Sequence, residues 1–507
     1  MTFNLAVILR ESAKSEPDRP VVFYEGRTMT YRELEEKSDR VAATLVGLGI
    51  GPGDPVGLQL PNVPEFPIAL YGILKAGAVA LPMNVLNKEP EVEFYLTDSR
   101  ARAMITNADL GDEGVRGAQV ADIDHTFCLG REGSDDLPAK ARPFSELLDT
   151  DAGDRNPFVE RQPDDPAILL YTSGTTGRPK GVMLTHFQLF MNARAHVQAF
   201  EMDSGSVVIA VMPLFHALGL SGILDATVYA GGAVVLIKRF DADKVLDAIQ
   251  KHNATVLHAV PTIYHTLLNH PTLKDYDTAS LRTCGSAGAP IAAELLDSFE
   301  KEFGVDILEM YGLTESGPLA TYNPPGDRKH YSIGKPIWGT EVQVWDDEGN
   351  ELPRGKEHVG EIVIRGHNTM RGYLNNEQAT EEAFAGGWLH TGDLGYCDED
   401  GFFFIVDRKK EMIIRGGYNV YPREVEEVLY THPAVNEVAV VGVPDERLGE
   451  EVKAFVSLKP GRTATERELV DYAKERVAAY KYPRSVEIIP DLPKGPTGKI
   501  LKKELAS

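Results

Sequence analysis

Through the first four hundred residues, short apolar runs alternate with helix-like stretches. This alternation confines the chain to layered α/β architecture. "DPVGLQLPN" (54–62) reads as a buried strand, and "PEFPIALYGILKAGAVALPMN" (64–84) as a helix followed by a strand. "VVIAVMP" (207–213), "GGAVVLIKRF" (231–240) and "ATVLHAVP" (254–261) are further strands. The stretch "DADKVLDAIQKHN" (241–253) is a helix between two of them. Short β-rich runs with helices between them predict mostly parallel sheets covered by helices.

The chain has 507 residues, too many for one ordinary core and enough for two or three domains. Its texture changes after about residue 335. "TEVQVWDDEGNELP", "GEIVIRG" and "GFFFIVDR" are short strands separated by Gly- and Asp-rich turns, which predicts a small β subdomain or barrel. Past Lys410 the pattern is compact α+β. "YPREVEEVLYTHP" starts a helix with Pro422 near its first turn. "VNEVAVVGV" and "EVKAFVSL" are strands, and "TERELVDYAKERV" is a helix opened by a Thr465–Glu468 capping box.

The formal net charge of −24 argues against nucleic acid or anionic membrane as the main partner, since phosphate backbones demand basic patches. A phosphate ligand must then be met by local cations and backbone N–H groups. Cys128, Cys284 and Cys397 are odd in number and far apart, with no disulfide framework or zinc spacing, which fits a reducing compartment. "MTFNLAVILRESAKSEP" reads as an amphipathic helix rather than a signal peptide, and no apolar run reaches transmembrane length. The expectation is a cytoplasmic protein without an integral membrane segment.

Against that acidic background, "YTSGTTGRPKG" (171–181) packs hydroxyls, glycines and a lysine into eleven residues. Gly174 and Gly177 permit close backbone approach. Thr172, Ser173, Thr175 and Thr176 supply hydroxyls, and Lys180 a mobile charge, the ingredients of a phosphate-holding loop. "ILLYTSG" before it reads as a strand and "THFQLFMNARAHVQAF" after it as a helix. The Walker A pattern fails, because Pro179 precedes Lys180 and Gly181 follows it. A surface turn rich in small residues is the plainer reading.

Four more stretches have the same double reading. In "EMYGLTESGP" (309–318), Glu315 is a hard-oxygen ligand suited to Mg²⁺, Tyr311 offers a stacking face and Thr314 a hydroxyl. In "WLHTGDLG", Asp393 either grips a ribose diol or caps a turn. "DRKKEMIIRGGYNVYPREVE" and "PKGPTGKILKKEL" are basic runs that could equally be solvated faces.

As a set, in this order, the five stretches resemble the adenylate-forming superfamily of acyl-CoA synthetases, peptide-synthetase adenylation domains and luciferases. The resemblance covers nearly the whole chain, which looks most like a fatty-acyl or aryl-acyl CoA ligase. It implies an N-terminal adenylation domain (1–408) and a small mobile C-terminal domain (409–507). ATP would activate a carboxylic acid to acyl-AMP with release of pyrophosphate, and CoA would then take the acyl group. By resemblance, Thr172, Ser173, Gly174, Thr175, Thr176, Gly177 and Lys180 clasp the β- and γ-phosphates. Glu315, helped by Thr175 or Thr176, positions Mg²⁺, and Thr314 meets the α-phosphate. Tyr311 packs on adenine beside Gly288, Ala289 and Pro290, with Glu309 and Gly312 in the same site. Asp393 holds the ribose, Arg408 contacts ribose or phosphate, and Lys499 bridges acid and α-phosphate. The small domain swings about Lys410, and Gly416 and Gly417 line the thiol entry.

The acyl pocket implied by the same resemblance draws on Phe215, His216, Ala217, Leu218, Gly219, Gly222, Val260 and the segment from Gly285 to Pro290. These residues are apolar or small, and no aspartate stands ready for an ammonium. A hydrophobic carboxylic acid follows, with a medium- or long-chain fatty acid favoured and aryl or polycyclic acids as alternatives. His216 reads as a wall or gate, since apolar residues flank it. A carrier protein could replace CoA as acceptor, although the insertion usual in such relatives is absent. A non-catalytic nucleotide sensor conflicts with the intact Lys499, Glu315, Asp393 and Arg408. The chain is expected to act as a monomer or homodimer.

The first half-reaction needs no general base, because the acid is already ionised. Its obstacle is one anion approaching another, and preorganised positive charge is the remedy. Lys499→Ala is therefore expected to cut adenylation by on the order of a few hundredfold. It should largely spare conversion of supplied acyl-AMP to acyl-CoA. Assaying the two half-reactions separately checks this, and equal loss of both would make Lys499 structural.

Overall fold

The apolar runs of the first four hundred residues become strands of two large sheets, stacked with helices around one continuous apolar core. The computed structural model describes residues 3–131, 136–150, 158–172, 178–409, 411–415, 418–445, 447–495 and 500–505. In the nine-stranded sheet six neighbours run parallel, in the order Ile307–Tyr311, Thr283–Ser286, Val256–Ala259, Val207–Ala210, Ala233–Leu236 and Pro20–Tyr24. Antiparallel strands finish both edges. The eight-stranded sheet has Pro166–Thr172, Val79–Pro82, Pro55–Leu58, Ala103–Asn107 and His125–Leu129 in parallel order. Strands covered on both faces carry unbroken apolar sequence, which is why these runs were readable.

Glu65–Lys75 is a helix buried along its whole length from Phe66. It ends in a lysine with no solvent exposure. The Lys75 ammonium meets Glu35 at 2.7 Å, Asp39 at 2.7 Å and the Ser38 hydroxyl at 2.9 Å, all on the helix Tyr31–Gly47. A charge taken from water is tolerated only when paired this fully.

The small β subdomain is a four-stranded antiparallel sheet of Thr340–Trp345, Gly360–Gly366, Leu389–Cys397 and Phe403–Arg408. Past it, a separate smaller domain packs the helices Pro422–Tyr430 and Glu466–Lys474 on its own sheet, around Ile413, Val425, Leu429, Val440, Val452 and Leu469. Pro422 sits in the first turn, and the Thr465–Glu468 capping box forms as expected. Arg423 ties this domain to the last strand of the β subdomain. The Arg423 backbone N–H donates to Asp407 Oδ2 at 3.0 Å, and its guanidinium donates to the Ile405 carbonyl at 2.9 Å.

Two elements differ from the sequence reading. Lys180–Thr185 is a strand, antiparallel to Pro166–Thr172, so the glycine-rich loop joins two paired strands instead of feeding a helix directly. Its apolar run is only three residues, too short for periodicity to settle. Leu218–Asp225 is a π-helix, which no residue pattern announces. Among the described residues no helix is long and apolar enough to cross a membrane.

Lys75→Met leaves Glu35 and Asp39 facing each other without their cation. It should lower unfolding free energy by about 3 kcal/mol or more. Denaturant titration checks this, and an unchanged midpoint would show that the triad contributes nothing.

Candidate active site

Parallel strands end on one edge, and open α/β sheets take ligands there. Pairing of Ala259 with Ser286, and of Ser286 with Glu309, brings three strand ends level. Val260, the turn Gly288–Ala289–Pro290 and the segment Tyr311–Glu315 emerge side by side from this edge. Gly288 takes a left-handed φ of 81° to make its turn. Gly312 has a different reason to be glycine, because a Cβ there would lie 1.8 Å from the Pro318 carbonyl oxygen.

Thr314–Ser316 forms a short 3₁₀ turn, closed by the Ser316 hydroxyl accepting from the Leu313 N–H at 2.8 Å. Buried amides fix the chain around it. Asn368 Nδ2 donates to the Leu319 carbonyl at 3.2 Å, and Asn192 Nδ2 donates to the same oxygen at 3.0 Å. Gln188 Nε2 donates to the Asn368 carbonyl at 2.7 Å, and the Thr340 hydroxyl to Asn368 Oδ1 at 2.9 Å.

Two clusters converge on the edge. In the first, the Tyr373 hydroxyl donates to Glu315 Oε1 at 3.0 Å while Lys180 Nζ lies 4.9 Å from the centre of the Tyr373 ring. Glu315 and Lys180, far apart in sequence, thus share one neighbour that the sequence reading missed. In the second cluster, nearly buried Asp393 accepts from the Tyr311 hydroxyl at 2.6 Å and pairs with the Arg408 guanidinium at 3.1 Å. Asp393 and Arg408 are cross-strand partners, so register alone brings them together. Burial, together with the Asp393 carboxylate, holds the Tyr311 phenol far above its usual range, so it remains a donor.

Among the described residues no cluster of three or more His, Cys, Asp or Glu could cage a metal. A single carboxylate such as Glu315 fits Mg²⁺ in another way, since that ion keeps waters and is shared with substrate phosphates. Ser173, Gly174, Thr175, Thr176 and Gly177 lie outside the described residues, as do Lys410, Gly416, Gly417 and Lys499. Their described flanks are paired: Thr172 lies opposite Lys180, and Lys494 bridges to Ile500. Burial lowers His265, on the helix that follows Val260, and the charges of Glu437, Lys459 and Lys494 of the small domain reach it.

The residues assigned to the acyl wall lie next to the same edge. Asn62 pins their loop, donating to the Ala210 and Met212 carbonyls at 2.8 and 3.0 Å and accepting from the Leu214 N–H at 2.9 Å. The Phe215 and Ala217 side chains are nearly buried, and the His216 ring lies 4.9 Å from that of Phe215. Burial lowers His216 to about 4, which makes it a poor base at neutral pH. Gly219 turns its missing side chain onto the Pro213 carbonyl, and Gly222 turns its own onto the His196 ring.

Glu309 is buried with Oε2 lacking a hydrogen-bond partner among the described residues. Burial raises it from 4.5 to about 7, against the pull of Arg423. The folded state therefore keeps a proton that the unfolded chain loses, and this site makes stability fall as pH rises from about 4.5 to 7. Glu309→Gln should stabilise the protein at pH 8 relative to pH 5, by on the order of 2–3 kcal/mol. Denaturation at both pH values checks it, and an equal effect at each would refute it.

The family model of the AMP-binding enzymes matches residues 9–374, and that of the AMP-binding enzyme C-terminal domain matches residues 424–499. A long-chain-fatty-acid–CoA ligase of Bacillus subtilis is 37% identical, over 99% of this chain and 94% of that one. An oxalate–CoA ligase of Arabidopsis thaliana is 36% identical, over 99% and 98%. The crystal structure of the anthranilate CoA ligase AuaEII in complex with anthranoyl-AMP superimposes with a TM-score of 0.90, at 32% identity, over 99% of this chain and 96% of that one. The chain belongs to the AMP-binding enzyme family, within the adenylate-forming superfamily, and is an AMP-forming acyl-CoA synthetase.

Proposed function

We propose that this enzyme joins a hydrophobic carboxylic acid to CoA in two steps, through an acyl-AMP formed on ATP with release of pyrophosphate. The observation that carries the reading is the meeting of the Lys180–Tyr373–Glu315 and Tyr311–Asp393–Arg408 clusters on one strand-end edge. Asp393 and Arg408 hold the ribose, Tyr311 and the Gly288–Pro290 turn flank adenine, and Thr314 meets the α-phosphate. Lys180, Arg408 and Lys499 draw charge off the reacting phosphoryl group. Mg²⁺, held by Glu315 with the phosphates, would add charge neutralisation. The hydroxyls of residues 172–176 complete the phosphate cradle. Turning of the small domain about Lys410 then exchanges Lys499 for the Gly416–Gly417 side, by which CoA enters.

The acid lies among Phe215, Ala217, Leu218, Gly222, Val260 and Gly285. A medium- or long-chain fatty acid is the first reading. The second is a compact aryl acid, favoured because the side-chain directions of Gly222 and Gly285 are filled by His196 and His258. Pyrophosphate release across acetate, octanoate, dodecanoate, benzoates and cinnamates tests both. Each methylene buried adds ~0.8 kcal/mol, about fourfold in efficiency, until the chain meets those rings. Acetate should therefore be far poorer than octanoate. A flat profile from acetate to dodecanoate, or a sharp preference for a cinnamate, would overturn the fatty-acid reading and leave the adenylation chemistry intact.

A further inference from the structure

Behind the strand-end edge lie two fully buried imidazoles, His196 and His258. His196 Nε2 and both ring nitrogens of His258 have no hydrogen-bond partner among the described residues. Leaving a buried polar atom unpaired is costly, and an apolar ring of similar size would avoid the cost. His196 projects from the helix His186–Ala199, and its Nδ1 lies 2.9 Å from the Asn192 carbonyl. A carbonyl only accepts, so Nδ1 carries the proton and Nε2 is left as a bare acceptor. His258 projects from the strand Val256–Ala259, directly opposite Gly285. The two ring centres are 6.3 Å apart with their planes at 81°, and Phe200 packs against both.

Burial lowers both imidazoles, His196 to about 4 and His258 to about 3, so each is neutral at physiological pH. A neutral pair has no charge for a second carboxylate or a sulfonate. It offers one fixed acceptor and one ring that carries both a donor and an acceptor. A hydroxyl, which donates once and accepts, complements that set. The nitrogens lie in the directions in which two glycines lack side chains: a Cβ on Gly222 would come within 2.6 Å of His196 Nε2, and one on Gly285 within 2.4 Å of His258 Nδ1. Both glycines wall the acid in the function proposed above.

We propose that His196 and His258 form a neutral hydroxyl-reading pair at the closed end of the acyl pocket. His196 Nε2 accepts the hydroxyl proton and a His258 N–H donates to its oxygen. The preferred acid therefore carries a hydroxyl remote from its carboxylate. This rests on the acid lying among Gly222, Val260 and Gly285. Leu218, whose Cδ1 crowds the Gly222 position, and Met310, whose Cε crowds the Gly285 position beside Phe200, are the flexible side chains that turn away to admit it.

The test uses matched acids bearing hydrogen, hydroxyl or methoxy at the far end, on both an alkanoate and a phenylpropanoate frame, with pyrophosphate release read as kcat/KM. The hydroxy acid should exceed both partners by roughly tenfold or more on at least one frame, since a site that hydrogen-bonds a hydroxyl rejects the analogue lacking it. His196→Leu and His258→Leu should bring that ratio near one with the KM for ATP unchanged, and His196→Gln should retain part of it. If the leucine variants do not fold, the wild-type series decides alone. Equal efficiencies within every series would overturn the proposal and make the imidazoles packing groups or holders of a resident water. Absence of pyrophosphate release with any acid would instead defeat the proposed function.

Discussion

The Asn368 side chain joins parts of the chain that no local rule brings together. Its amide holds Leu319 and Ser316, its carbonyl oxygen accepts from Thr340 of the β subdomain, and its backbone receives Gln188 from the helix after the glycine-rich hairpin. In a low-dielectric interior such bonds are strong when complete and costly when broken, so they impose one arrangement. The Thr314–Ser316 turn, the hairpin of Lys180 and the β subdomain are thereby locked to a common frame. Preorganisation of this kind is what a site working through positioned charge requires.

The electrostatics divide between the whole molecule and the edge. The chain carries a formal charge of −24, yet Lys180 and Arg408 stand where polyanionic ATP is proposed to bind, each in a cluster with a tyrosine and a single carboxylate. Cations are held in place by Glu315, through Tyr373, and by Asp393, instead of being spread over a basic surface. Attraction to phosphate is then short-ranged, and confined to groups already oriented before ligand arrives.

Much of the fold was legible because strands covered on both faces must be apolar throughout. Val56–Leu58, Val207–Ala210 and Val256–Ala259 announced themselves in this way. The five motifs were legible as a family signature, and register explains why Asp393 and Arg408 meet as a pair. Tyr373 was not legible: a tyrosine in "RGYLNN" has no local reason to meet a glutamate fifty-eight positions earlier. Nor were Asn62, Asn192 and Asn368, since a buried amide looks in sequence like any loop asparagine. The glycines at 222 and 285 read as acyl-pocket residues, and nothing in the sequence announced the imidazole packed behind each, which leaves no room for a Cβ.

The helix Pro422–Tyr430 has no side-chain cap of its own; a neighbour's carboxylate receives one of its first N–H groups. That neighbour, Asp407, stands just before the link into the small domain, and the adjacent Ile405 carbonyl takes the Arg423 guanidinium. The rotation proposed about Lys410 requires that both bonds be released. Each bond contributes about 1 kcal/mol, more where charge assists. Under that proposal the helix terminus doubles as a latch, firm enough to define one posture and weak enough for thermal motion to undo.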